Sequence, residues 1–96
     1  MKMVNFSVAL DAVKSGKKIA RTGWNGKGMW VAYCKGYPDG VLANKNAQEC
    51  YGVSPETVIK VLPHLSLKTA DNCFVPWIIS QTDALAEDWI ISGEDA

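Results

Sequence analysis

Lys17-Lys18-Ile19-Ala20-Arg21-Thr22-Gly23-Trp24-Asn25-Gly26-Lys27-Gly28-Met29-Trp30-Val31-Ala32-Tyr33-Cys34 is the stretch on which the fold turns. Residues 17–21 alternate as a short strand, and residues 29–34 are rich in the aromatic and β-branched side chains that suit a pleated surface. Between them, residues 23–28 hold three glycines in six positions, a density that demands a tight, irregular backbone. Strand, loop and returning strand predict an antiparallel pair.

Working outward, Phe6, Ala9, Leu10 and Val13 recur at i, i+3, i+4 and i+7, with Ser7, Asp11 and Lys14 elsewhere on the wheel, which predicts an amphipathic helix. Asn5 or Ser7 caps its start and Gly16 follows its end. Tyr37-Pro38-Asp39-Gly40 carries the residues of a turn, and residues 41–53 lack a clear period and are expected to form a long loop or a variable excursion. Ser54-Pro55-Glu56 opens either a helical turn or an extended segment that Pro63 ends. Residues 64–69 and 74–77 read as two strands around a turn at residues 70–73, where Asp71-Asn72 can supply a positive φ. Ser80 or Thr82 then caps a short helix over residues 83–87, and residues 88–91 form a last strand. The order predicts an α+β fold: a small antiparallel sheet with an N-terminal helix and a short C-terminal helix. With no repeat or polar linker, residues 1–96 read as a single ligand-binding domain with an ordered core from about 3 to 91 and a frayed tail over residues 92–96.

A chain of 96 residues supports one thin core. Its stability is expected to be marginal, so further burial between identical subunits is a natural supplement. Apolar residues make up 48% of the chain but never gather into a membrane-spanning run, and the start, Met1-Lys2-Met3-Val4-Asn5, does not resemble a secretory signal. A cytoplasmic protein without membrane association is expected. Cys34, Cys50 and Cys73 are odd in number and widely spaced, which suits reduced thiols packed as small hydrophobes better than disulfides or zinc. Ten basic and ten acidic residues, with Arg21 the sole arginine, lack the cationic excess of a polynucleotide binder. A small anionic ligand is compatible with that balance.

The chemistry-bearing residues point to holding a ligand and not to transforming one. Trp24 sits inside the glycine-rich loop and Trp77 directly follows Pro76; a large ring on a loop needs a cover, which a base or a partner subunit can supply. Trp30 and Trp89 lie within apolar strands, where core packing is the expected role. Base stacking on an aromatic face contributes about 1 to 3 kcal/mol, and the backbone N–H groups of a glycine-rich loop are suited to cradling phosphate oxygens. The spacing matches neither a P-loop nor a dinucleotide fingerprint. Asp83 either caps its short helix or, with Ser80 and Thr82, bonds ribose hydroxyls. His64 reads as a structural hydrogen-bonding residue, with a Cys73–His64 nucleophile pair as the sharper alternative. No catalytic residue, metal ligand or cofactor is assigned.

Three ordered segments, residues 20–29, residues 63–71 and residues 75–89, together resemble the Thoeris anti-defence type-two-like domain family of phages and prophages. The resemblance implies a small α+β unit that assembles as a homotetramer with pockets between subunits. It implies a sponge that binds cyclic ADP-ribose-type or cyclic oligonucleotide signals of Thoeris and CBASS immunity without cleaving them. On that reading Trp24, Asn25, Gly26, Gly28, Trp77, Ser80, Thr82 and Asp83 bind the ligand. The rivals are an enzyme that hydrolyses such a signal and a small structural or adaptor protein. Asn72 stands where the family often has glycine, a mild change because asparagine tolerates positive φ. Residues 33–61 fall outside the family pattern that these motifs define.

Overall fold

The computed structural model describes residues 2–92, so residues 93–96 of the expected frayed tail lie outside the described residues. Ser92 itself is fastened: its N–H donates to the Lys18 carbonyl at 2.8 Å and its Oγ accepts from the Lys18 N–H at 3.1 Å. The chain divides into two compact units, one formed by the residues up to Cys34 and from Leu65 onward, the other by Lys35–His64.

The first unit is a five-stranded sheet with helices α1 (Phe6–Lys14) and α3 (Gln81–Leu85). Its strands are β1 (Ile19–Arg21), β2 (Trp30–Cys34), β5 (His64–Lys68), β6 (Phe74–Pro76) and β7 (Trp89–Ile91), in the order β6-β5-β2-β1-β7. The β1–β2, β1–β7 and β5–β6 ladders are antiparallel. Asn5 caps α1 by accepting the Val8 N–H at 3.0 Å, which removes one of the unpaired donors of the first turn. The apolar stripe of α1 buries Ala9 and Val13 against Ile19, Val31 and Trp89. The β5–β6 turn closes as its sequence predicts, with Asn72 at φ 66° and the Thr69 Oγ1 accepting the Cys73 N–H at 3.0 Å.

Trp89 is the centre of this core. Its ring is fully buried, with Phe6 at 5.3 Å, Trp24 edge-on at 5.4 Å and Trp77 edge-on at 6.1 Å. The two loop tryptophans therefore find their cover in the core. Trp30, expected in the core, lies outside that cluster: Lys18 Nζ sits 4.4 Å over its ring and Phe74 lies 5.9 Å away. Side chains alternate along a strand, so Val31 takes the covered face and Trp30 the other.

The second unit is the antiparallel pair β3 (Tyr37–Leu42) and β4 (Val58–Val61) with α2 (Lys45–Tyr51). Two expectations fail here. The Tyr37-Pro38-Asp39-Gly40 segment is strand, not turn; the ladder's register shifts between Tyr37 and Val41, an irregularity that accommodates a proline. Residues 41–53 contain a helix in place of a long loop. Asn44 accepts the Ala47 N–H at 2.8 Å to start α2, and Gly52 ends it at φ 64°. Of the two alternatives for residues 54–56, a single turn leading into extended chain is the one adopted, with the Thr57 N–H on the Ser54 carbonyl at 3.1 Å. All three cysteines are free thiols; Cys34 is half-buried, but Cys50 and Cys73 are exposed and not packed as hydrophobes.

Candidate functional site

Where β1 ends, Arg21 turns its guanidinium between two carboxylates that bracket the end of α3. Nη1 donates to Asp83 Oδ1 at 2.8 Å and Nε to Asp88 Oδ1 at 2.7 Å. The other Asp88 oxygen accepts the Gly23 N–H at 2.8 Å and the Thr22 hydroxyl at 3.1 Å. Asp83 Oδ1 also accepts the Trp24 indole N–H at 3.0 Å, and the Asp83 carbonyl accepts the Trp89 indole N–H at 2.9 Å. The glycine-rich loop thus starts from a knot in which both carboxylates are bonded more than once.

A side chain at Gly23 would press on the knot. A Cβ on Gly23 would lie 2.8 Å from Asp88 Oδ2, the atom to which the Gly23 N–H donates. The far end of the loop is tied separately: Gly28, at φ 75°, offers its carbonyl to Lys68 Nζ at 2.7 Å, and a Cβ on Gly26 would meet Met29 and Ala70.

The electrostatics follow from this bonding. Hydrogen bonds from Arg21 are the largest influence on Asp88 and hold its carboxyl below the usual carboxylate range, against an opposing effect of burial. For Asp83, burial pushes the carboxyl up; bonds to Arg21, Trp24 and Ser80 and the Arg21 charge outweigh it, and the net direction is down. Arg21 is raised in turn, chiefly by its bond to Asp88 and then by that to Asp83. All three groups stay charged at neutral pH, and the trio carries one net negative charge.

The structure brings Trp24, Trp77, Asp83 and Ser80 together around Trp89. Ser80 is the cap of α3, its Oγ accepting the Asp83 N–H at 3.0 Å, so Thr82 is not the cap and lies exposed on the helix. Asp83 lies in the first turn of α3, where a carboxylate is expected; its N–H is capped by Ser80 while its carboxylate also anchors Arg21 and Trp24. Asn25 is exposed at the middle of the loop. His64 has the structural bond expected, Nδ1 to the Leu62 carbonyl at 2.9 Å, and the Cys73 thiol lies 3.9 Å from the Asp71 carbonyl. A small hollow of about 70 Å³, lined by Lys2, Val4, Val8 and Ile91, involves none of these residues. Among the described residues no three His, Cys, Asp or Glu side chains gather as a metal site.

The sequence pattern did not single out Arg21, Gly23, Asp88 or Lys68 as site residues. A signal was present: a lone arginine beside a glycine loop needs carboxylate partners if it is to be half-buried, and Asp83 and Asp88 bracket the preceding and following ends of one short segment.

Fold and site define a class, a short α+β protein whose tryptophan-bearing glycine loop is lashed to an Arg–Asp–Asp knot. The chain belongs to the Thoeris anti-defense 2-like domain family, whose pattern it matches over residues 4–92. It is 38% identical over 88 residues to Thoeris anti-defense 2 of Bacillus phage SP01, an alignment covering 92% of this chain and 93% of that protein. The family match runs through residues 33–61, which the three motifs had left aside. Among the described residues no helix is long and apolar enough to cross a membrane.

Proposed function

We propose that this protein is a phage anti-Thoeris factor that works as a sponge: it binds a cyclic ADP-ribose-type or cyclic oligonucleotide signal in the host cytoplasm and withholds it from its effector, without cleaving it. The observation that carries the reading is the fixed Trp24 loop, an aromatic ring held by Asp83 next to the backbone donors of a glycine-rich turn. A preorganised ring and amides lower the ordering cost of binding, which a sponge needs if it is to hold a scarce signal at nanomolar affinity, about −12 kcal/mol. Absence of cleavage is supported by the state of the carboxylates. A general base is most effective with a pKa near neutrality, whereas Asp83 and Asp88 are held low and bonded to Arg21.

The pocket is completed by subunits of a homotetramer. A unit of 10.5 kDa encloses only part of a dinucleotide-sized ligand, while tight sites bury about 70 to 90% of theirs. Ligand then raises the thermal midpoint and suppresses dissociation on dilution.

The test uses the small-molecule fraction of Thoeris-bearing cells taken during infection. The protein is incubated with it, removed by filtration, and heat-denatured. A sponge depletes effector-activating signal from the filtrate and releases it intact on heating. Release of an altered compound would establish the hydrolase, and an undiminished filtrate would leave the adaptor reading.

A further inference from the structure

A ligand with phosphate groups needs a cation, and the obvious one is spent. Arg21 lies between Asp83 and Asp88, so its trio repels an incoming anion. Lys68 is in a different position. Its Nζ lies 2.7 Å from the carbonyl of Gly28, an uncharged acceptor that fixes the ammonium without neutralising it. One of its three N–H donors is used there, which leaves two. The side chain is half-buried, so holding it in place costs little further entropy on binding. It leaves β5 on the face opposite Leu67, paired in register with Phe74, and reaches the last glycine of the loop that carries Trp24. Trp24 and Gly28 are four residues apart, at most about 14 Å along the chain, a span that a nucleotide bridges from base to phosphate.

We propose that Lys68 is the phosphate-binding residue of this site: its ammonium, parked on the Gly28 carbonyl, pairs with the phosphodiester or pyrophosphate oxygens of a ligand whose base lies at the Trp24 end. The assignment rests on the sponge reading for its ligand, but the anion site itself is testable without that ligand. Lys27, exposed on the loop and without such a tether, adds steering only.

The probe is inorganic pyrophosphate, titrated into 15N-labelled wild type, Lys68→Arg and Lys68→Gln and followed by amide chemical shifts. Saturable shifts centred on residues 26–28 and 68 are expected in the wild type, with affinity falling as NaCl rises. Lys68→Arg retains them, and Lys68→Gln weakens binding about tenfold or more and flattens the salt dependence. A Lys68 that only braces the loop would lower the thermal midpoint in the glutamine variant and leave pyrophosphate affinity and its salt dependence unchanged, which overturns the proposal. Shifts in the wild type confined to other lysines overturn it as well, whether or not the variants fold. The infected-cell fraction is run alongside with the same proteins. Signal depletion by both the wild type and Lys68→Gln sinks the Lys68 assignment alone. No depletion by the wild type, with pyrophosphate still bound at Lys68, sinks the sponge reading and keeps the anion site.

Discussion

Replacing Asp88 by asparagine tests the knot most directly, because the change keeps size while removing the charge and the capacity to accept on both oxygens. In the wild type one oxygen faces the Arg21 Nε at 2.7 Å and the other faces the Gly23 N–H at 2.8 Å and the Thr22 hydroxyl at 3.1 Å. An amide can satisfy only one side; its NH2 must point at a donor on the other. Charge-assisted bonds of this kind contribute about 1.5 to 3 kcal/mol each when removed from water. Here the side chains retain 16% and 24% exposure for Arg21 and Asp88, so water recovers part of the loss, and about 1 kcal/mol is the appropriate figure for the part-buried ion pair. The Gly23 and Thr22 bonds are exposed and add little. Asp88→Asn is therefore expected to cost about 1 kcal/mol, which for a chain of this size lowers the thermal midpoint by roughly 4 to 8 °C. Circular dichroism melts at one fixed protein concentration, with urea unfolding as a second measure, give the value. A midpoint within about 2 °C of wild type would show that Gly23 and Arg21 do not depend on Asp88, and the knot would lose its place as the anchor of the loop.

Three further outcomes follow from particular contacts. Trp24→Phe keeps a ring against Trp89 but loses the bond to Asp83, so signal depletion should weaken about tenfold and the midpoint should fall by a few degrees, whereas Trp24→Ala should abolish depletion; equal depletion by all three proteins would remove Trp24 from the site. Gly52→Ala, at φ 64° with open space beyond its Cβ, should cost about 1 kcal/mol, but Gly36→Ala, at φ 66° with the Val61 and Leu62 carbonyls in the way, should cost more and speed amide exchange in β3 and β4. Similar losses in urea unfolding for the two would refute the steric reading. Asp83 and Asp88 have lowered pKa values, so their stabilisation is fully present above the unfolded carboxylate value near 4 and is lost as pH falls through the folded values below it. The midpoint should be flat from about pH 5 to 7 and drop below about pH 4, with a shallower acid limb in Asp88→Asn; an identical limb in both proteins would place the titration elsewhere.

How much of this was legible differs between the two units for a physical reason. Helix α1 and the strands of the first unit show long periods or decisive turn residues: Asn72 takes the positive φ that its type predicts, and the stripe of α1 lands on Ile19, Val31 and Trp89. The second unit has little period to read. Helix α2 spans seven residues and buries only Ala47, so its two turns leave no amphipathic signature, and the readable marks were its caps, Asn44 and Gly52. At Tyr37-Pro38-Asp39-Gly40 the residue types favour a turn, but Gly36 precedes them at φ 66° and Pro38 falls where the ladder is already irregular.

The site divides in the same way, between what is local and what is not. Glycine density placed the loop correctly, because a tight backbone is a local demand. What holds the loop is contributed from 59 to 67 residues away, by Asp83 and Asp88, and no spacing rule links a strand-end arginine to them. The tryptophans show the cost of that. Alternation correctly puts Trp30 and Val31 on opposite faces, but only the docking of α1 decides which face is covered, and it covers Val31. Trp24 lacks strand periodicity altogether and is drawn inward because its indole N–H finds Asp83 while its ring meets the edge of Trp89. A ring held at both its polar and apolar ends presents one fixed face, so the interaction that hides Trp24 from a sequence pattern is also the one that prepares it for a ligand.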